Sequence, residues 1–120
     1  MKRILVVDDS VSVRKMVCVT LEQAGFCTVE GADGREALSR LSHQAIDLIV
    51  TDLNMPVMDG LSFIKAVRAR PEHRHTPILL LTTEASAERK QAGAAAGATG
   101  WIVKPFDPPK LLATIAAALS

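Results

Sequence analysis

Residues 4–9 read Ile-Leu-Val-Val-Asp-Asp, an uninterrupted apolar run that ends in two carboxylates. A short run of branched apolar residues is typical of a strand buried on both faces of a parallel sheet. Three further runs have the same form, and they end in Asp52, Thr82 and Lys104. Because ligands bind beyond the carboxyl ends of parallel strands, along one edge of the sheet, we expect these side chains to meet at a single site.

The apolar runs alternate with longer segments of helical periodicity, which predicts an α/β fold built from βα units around a parallel sheet. Strands are predicted at about residues 4–7, 27–30, 46–51, 77–82 and 101–103. Helices are predicted at about residues 11–24, 34–42 and 86–96, with one more after Gly60 and a last one from Pro108. The second strand is short and mixed in polarity, which favours a position at the edge of the sheet.

Individual residues predict where the helices begin and end and which of their faces are buried. Ser10, Asp59 and Asp107 each precede a helix and are expected to cap it, and Gly25 suits a left-handed residue after the first helix. The predicted buried face of the first helix consists of Val13, Met16, Val17, Thr20, Leu21 and Ala24. Residues 92–97 are all alanine or glycine, so the fourth helix should bury little side-chain area and pack least firmly.

Composition restricts the classes of function. The net charge of +1 gives no electrostatic case for nucleic acid. One stretch is locally basic but has no aromatic side chain, so we expect a solvated turn rather than an RNA or phosphate patch. Its basic residues are Arg68, Arg70, His73, Arg74 and His75.

Length and hydropathy predict one cytoplasmic domain over residues 1–120. No apolar stretch is long enough to span a bilayer, and the first strand begins too early to leave room for a secretion signal. The last predicted helix ends with the chain, so we expect no linker to a further domain. Cys18 and Cys27 lack CxxC spacing and are expected to be reduced thiols without a function.

The predicted cluster of Asp8, Asp9 and Asp52 has a chemical consequence. Two carboxylates about 4 Å apart repel by about 4 kcal/mol at an effective dielectric constant of about 20. Such repulsion raises the pKa of at least one carboxyl, and a divalent cation removes the conflict. Oxygen ligands in a partly open site favour Mg2+. With Lys104 as a positive charge and Thr82 as a hydroxyl, the site suits a tetrahedral dianion attached to a carboxylate.

In their order along the chain, Asp8-Asp9, Asp52, Thr82 and Lys104-Pro105 resemble the signature of response regulator receiver domains from two-component signalling. The resemblance covers the whole chain and is greatest to stand-alone chemotaxis regulators of the CheY type. It implies a doubly wound, flavodoxin-like sheet of five parallel strands in the order 2-1-3-4-5, with five helices. It also implies a phosphoacceptor switch in a phosphorelay rather than an enzyme, with only limited self-catalysed phosphorylation and dephosphorylation.

The resemblance also implies roles for single residues. Asp52 accepts the phosphoryl group from a histidine kinase. Mg2+ is held by the side chains of Asp9 and Asp52, by the backbone carbonyl of Asn54, and by Asp8 mainly through water. The side chains of Asn54 and Glu84 set the phosphoryl lifetime, which is expected to be seconds to minutes.

At the other strand ends, the resemblance implies that Lys104 pairs with the phosphoryl oxygens and that the Lys104–Pro105 peptide bond is cis. Thr82 and Trp101 are the switch pair. The family usually has Tyr or Phe where this chain has Trp101, and Ala or Gly where it has Thr83. The implied output is altered affinity of a monomer for a downstream protein, at the face of helix four, strand five and helix five around Arg89, Lys90, Ala94 and Trp101.

Three other functions compete with this interpretation. A phosphorelay shuttle or phosphate sink would belong to the same family and share every motif. A haloacid-dehalogenase-like phosphatase also uses Asp, Mg2+, Thr and Lys, but its DxDxT motif after strand one is replaced here by Asp8-Asp9-Ser10. A flavodoxin-like electron carrier would need a phosphate loop after strand one and aromatic side chains that stack on the flavin.

Overall fold

The computed structural model of the chain describes residues 1–83 and 86–120, and within these ranges it contains one five-stranded sheet. Its strands are β1 (Arg3–Val7), β2 (Cys27–Gly31), β3 (Leu48–Thr51), β4 (Ile78–Thr82) and β5 (Gly100–Val103). All neighbouring pairs are parallel, and the order is β2-β1-β3-β4-β5. The predicted α/β fold, the implied strand order and the edge position of the second strand are confirmed.

Among the described residues, five α-helices cover the two faces of the sheet: α1 (Val11–Gln23), α2 (Gly34–His43), α3 (Gly60–Arg68), α4 (Ala87–Ala96) and α5 (Pro108–Leu119). Successive residues of β1 point to opposite faces. Leu5 and Val7 belong to the core beneath α2, α3 and α4, whereas Ile4 and Val6 belong to the core beneath α1 and α5. Burial on both faces explains why β3 and β4 are apolar except for the threonine that ends each of them.

The predicted caps have different outcomes. The Ser10 hydroxyl accepts from the Val13 N–H at 3.3 Å, and Asp59 Oδ1 accepts from the Ser62 N–H at 2.8 Å. Asp107 occupies the N-cap position of α5, as predicted, but its side chain makes no cap hydrogen bond. Pro109 explains part of this result, because the second residue of the helix has no N–H to donate.

The predicted buried face of α1 also needs correction. Met16 is 58% exposed, and Ala24 lies exposed beyond the end of the helix. The buried residues are Val17, Cys18 and Leu21, so the core-facing stripe is rotated away from Met16. Both cysteines are free thiols.

The basic stretch is not the solvated turn that its composition predicts. His73 ends a short 3-10 helix, Pro71–His73, and is only 6% exposed, with its Nδ1 2.9 Å from the Thr76 hydroxyl oxygen. Arg68 is half-buried and donates to the carbonyl oxygen of His73 at 2.8 Å and to that of Gly97 at 3.1 and 2.8 Å. Of the five basic residues, only Arg74 and His75 are exposed.

The light packing predicted for the fourth helix agrees with the structure. The buried residues of α4 are Gly93 and Ala96, which have little side-chain area, so this helix is lightly packed as predicted. Among the described residues, we find no helix with the length and apolar character that a membrane span requires.

Candidate metal centre

The three carboxylates predicted to converge lie at the ends of two neighbouring strands. Asp8 and Asp9 follow β1, Asp52 follows β3, and the Asp52 N–H donates to the Val7 carbonyl at 2.8 Å, which holds the two ends in register. One carboxylate oxygen from each residue lies within 4.8 Å of the others. Asp8 and Asp52 are buried, whereas Asp9 is exposed. The cluster is therefore closed to solvent at Asp8 and Asp52 and open to solvent at Asp9.

Lys104 brings a positive charge to this cluster from the end of β5. Its Nζ lies 2.8 Å from Asp8 Oδ2 and 3.3 Å from Asp52 Oδ2, and its side chain is 15% exposed. Burial works to lower the pKa of Lys104, but the bonds to Asp8 and the charge of Asp52 outweigh it and raise the pKa above its usual value. Lys104 is therefore a permanent cation at neutral pH. The peptide bond that joins it to Pro105 is cis.

Asp52 carries the electrostatic conflict of the site. Burial and the charge of Asp8 raise the pKa of Asp52, against the opposing effects of Lys104 and of the Leu53 N–H, which donates to Asp52 Oδ1 at 2.7 Å. The single positive charge of Lys104 therefore does not fully compensate the negative charges of the two buried carboxylates. A divalent cation bound by carboxylate oxygens on the open side would remove the remaining repulsion, so the donor set fits Mg2+.

Three other residues singled out in the sequence lie nearby or at the adjacent strand end. Thr82 is buried at the end of β4, Thr83 is exposed just beyond it, and Asn54 is exposed in the loop after Asp52. Glu84 lies outside the described residues.

Gly60 allows α3 to begin directly against the backbone of Asp52. Its N–H donates to the Leu53 carbonyl at 2.7 Å. A Cβ at this position would collide with the carbonyl oxygen of Asp52 and would lie 2.8 Å from the Cα of Leu53. Glycine is therefore required by close approach. In the sequence this requirement is visible only as a glycine after Asp59, which does not by itself indicate a close approach to the backbone of Asp52.

Trp101 lies in β5 beside α4, and its indole occupies space left by small residues. A Cβ on Gly93 would lie 3.1 Å from the Cζ3 of Trp101. The indole Nε1 is buried and has no hydrogen-bond partner among the described residues. A cavity of about 130 Å³ adjoins the ring and is lined by Lys90, Ala94, Ala98, Thr99, Gly100 and Trp101.

Comparison with known proteins agrees with this geometry. A family model described as the response regulator receiver domain matches residues 4–116. The chain therefore belongs to the response regulator receiver domain family of two-component signalling.

Within this family the chain is most readily compared with CheY proteins. Its structure superimposes on that of chemotaxis protein CheY4 of Vibrio cholerae with a TM-score of 0.97, at 53% identity and over 99% of each chain. It is 44% identical over 110 residues to chemotaxis protein CheY-3 of Vibrio cholerae, covering 91% of this chain and 85% of the relative.

Two other relatives are a longer transcriptional regulator and a receiver domain whose structure contains magnesium. The chain is 40% identical over 118 residues to the phosphate regulon transcriptional regulatory protein PhoB of Klebsiella pneumoniae, covering 98% of this chain but 52% of PhoB. It thus spans about half the length of that relative. The receiver domain of sensor histidine kinase PA1611 from Pseudomonas aeruginosa PAO1 matches with a TM-score of 0.91 at 28% identity, over 98% of this chain and 97% of that one. That structure has a magnesium ion coordinated in its active-site cleft.

Proposed function

We propose that this receiver domain accepts a phosphoryl group on Asp52 from a histidine kinase and thereby changes its affinity for a downstream protein. The observation that carries the proposal is the meeting of Asp9, Asp52 and Lys104 at one edge of the sheet, although Lys104 lies far from both along the chain. A buried carboxylate beside a fixed ammonium and an open acidic site is a suitable acceptor for phosphate.

The residues that would hold Mg2+ are the carboxylates of Asp9 and Asp52 and the backbone carbonyl of Asn54, with Asp8 acting mainly through water. When bound, the ion would neutralise charge on the oxygens of the transferring phosphoryl group. Its support in the structure is the acidic cluster itself, in which burial and like charge oppose the ionised form of Asp52.

Three side chains of this protein would take part directly in the phosphoryl transfer. A carboxylate oxygen of Asp52 forms the new bond to phosphorus as the bond from phosphorus to the imidazole nitrogen of the kinase breaks. Lys104, whose Nζ is 3.3 Å from Asp52 Oδ2, would pair with the phosphoryl oxygens. Thr82, buried at the neighbouring strand end, would add its hydroxyl to the same group.

The output face in this proposal is formed by α4, β5 and α5, around Arg89, Lys90, Ala94 and Trp101. Light packing of α4 supports it, since a binding switch needs a difference of only a few kcal/mol between two states. The similarity to CheY proteins supports a role in chemotaxis. We propose that the domain acts as a monomer in the cytoplasm.

Phosphoryl transfer from a kinase tests the proposal. Radiolabelled phosphoryl groups should move from autophosphorylated histidine kinases to the wild type and to Asp59→Asn, a control in the same loop, but not to Asp52→Asn. A pull-down with the phosphorylated and unphosphorylated wild type should then recover a partner that prefers one form. Because Asn54 and Glu84 are the pair found in fast-cycling relatives, the label should decay in seconds to minutes, and a lifetime of hours would contradict that part.

A further inference from the structure

Arg14 of α1 lies behind the acidic turn at the end of β1 and makes two short bonds in different directions. Its Nη1 donates to the backbone carbonyl of Asp8 at 2.7 Å, and its Nε donates to Glu30 Oε1 at 2.8 Å. The side chain is only 12% exposed. A largely buried guanidinium with fixed partners holds its geometry much better than an exposed surface ion pair does.

Glu30 is itself anchored, so it can hold Arg14 in place. It lies in β2, and its backbone carbonyl accepts from Arg40 Nε at 3.2 Å. Its second carboxylate oxygen, Oε2, accepts from Lys15 at 2.8 Å. The bonds to Lys15 and Arg14 lower the pKa of Glu30, which keeps this carboxylate ionised at neutral pH.

The carbonyl that Arg14 binds belongs to the peptide unit that joins Asp8 to Asp9. The Asp8 carbonyl and the Cα of Asp9 lie in the same peptide plane, so a bond that fixes this carbonyl also restrains the Cα that carries the Asp9 side chain. The rest of Asp8 is also held, since its N–H donates to the Gly31 carbonyl at 3.1 Å and its Oδ1 accepts from the Ser10 N–H at 2.9 Å. In the described part of the chain, no hydrogen bond holds the exposed carboxylate of Asp9, so what fixes the starting point of this side chain is the backbone at Asp8 and Asp9.

We propose that Arg14 is a positioning residue of the metal centre, and that Arg14 and Glu30 together brace the Asp8–Asp9 peptide so that the Asp9 carboxylate faces Asp52. This inference rests on the proposed function, because it assumes that the acidic cluster binds Mg2+. It differs from a purely structural role, in which the same bonds would only join α1 to β2.

Mg2+ titration by calorimetry separates these two roles. Arg14→Gln should bind Mg2+ about tenfold more weakly than the wild type, the loss that is typical when a group behind a metal ligand is removed. Lys15→Gln is the matched control, because Lys15 also binds Glu30 at 2.8 Å but makes no bond to Asp8. Because Arg14 keeps its bonds to Asp8 and Glu30 in this variant, its Mg2+ affinity should be much closer to that of the wild type than to that of Arg14→Gln. Arg14→Lys can reach only one of the two acceptors at a time and should give an intermediate affinity.

A second readout needs no metal. In protein kept free of metal by a chelator, amide hydrogen exchange at Ser10 reports the order of the turn, because its N–H is bonded to Asp8. Arg14→Gln should speed this exchange clearly more than Lys15→Gln, which leaves both bonds of Arg14 in place. If Arg14→Gln does not fold, Arg14→Lys carries both measurements.

The outcomes separate the two levels of the proposal. If the wild type binds Mg2+ and Arg14→Gln binds it equally well, the brace is refuted while the metal centre stands. The same holds if only the free energy of unfolding changes. If the wild type itself binds no Mg2+, both the brace and the proposed function are refuted.

Discussion

The ammonium of Lys104 is paired most closely with Asp8, at 2.8 Å between Nζ and Oδ2. Asp52 lies further from the same nitrogen, at 3.3 Å. The carboxylate proposed to receive phosphate is therefore the less compensated of the two buried ones. This asymmetry leaves Asp52 with unbalanced negative charge in the absence of metal, and it leads to a prediction about stability.

Asp52→Asn should stabilise the metal-free protein at neutral pH. Burial and Asp8 raise the pKa of Asp52 in the folded state, so the ionised carboxylate opposes folding. A raised carboxyl pKa means that the stabilising effect of the proton is present below the unfolded pKa and is lost as pH rises through the folded pKa. The variant removes this loss, and urea unfolding at neutral pH with a chelator measures the gain.

Asp59→Asn is the control for that experiment. The Ser62 N–H lowers the pKa of Asp59, the opposite direction to Asp52. Because asparagine caps a helix about as well as aspartate, this variant should change stability little. A wild type as stable as Asp52→Asn would show that Lys104 fully compensates the two buried carboxylates.

Arg68→Met should destabilise the protein by about 2 kcal/mol, because it leaves the carbonyls of Gly97 and His73 without a charged donor. The amides at the C-terminal end of α4 should exchange faster with solvent, since Gly97 follows that helix. Arg74→Gln removes a neighbouring exposed charge and should change stability by less than about 0.5 kcal/mol. Equal unfolding free energies for the two variants would contradict this role of Arg68.

His73 should make stability depend on pH. Burial lowers the pKa of His73 from its ordinary value of 6.5, so below that pH the unfolded chain binds more protons than the folded one. Stability should therefore fall as the pH is lowered through about 6.5, and the fall should end below the folded pKa. His73→Gln should flatten the profile between these limits, whereas His75→Gln, at an exposed position, should keep it. Urea unfolding across this pH range decides the matter.

Trp101 should report modification of Asp52 by fluorescence. It is the only tryptophan, its ring rests on Gly93, and its Nε1 has no hydrogen-bond partner among the described residues. A shift of the ring or of α4 would change the surroundings of the indole. Beryllofluoride with Mg2+ should alter the emission of the wild type but not of Asp52→Asn. An unchanged spectrum at saturating adduct would refute coupling between Asp52 and Trp101.

Much of the fold and the convergence of the acidic cluster could be predicted from sequence. A short apolar run identifies a strand locally, and the parallel sheet then brings the ends of distant strands to the same edge. The run Ile4–Val7 predicts a buried strand, and in a parallel sheet this fixes the edge at which Asp8 and Asp9 must lie. The position of Lys104 relative to Asp52 follows from the same rule. Neither step needs knowledge of side-chain packing.

Other features depend on packing that no local pattern carries. The burial of His73 requires the short helix, and Arg68 finds its acceptor on Gly97, far along the chain. Met16 fits a helical period, but the rotation of α1 on the sheet leaves it exposed. Val57 has a φ of 73°, although a β-branched residue disfavours this region. The Met58 N–H donates to the Pro56 carbonyl at 2.7 Å across Val57, a tight turn that the valine itself does not predict.

Intact-protein and peptide mass spectrometry after treatment with acetyl phosphate and Mg2+ tests the central claim most directly. The proposal predicts the added mass of one acid-labile phosphoryl group, located on Asp52, absent without Mg2+ and absent in Asp52→Asn. No such adduct on the wild type, or an adduct that persists in Asp52→Asn, would contradict it.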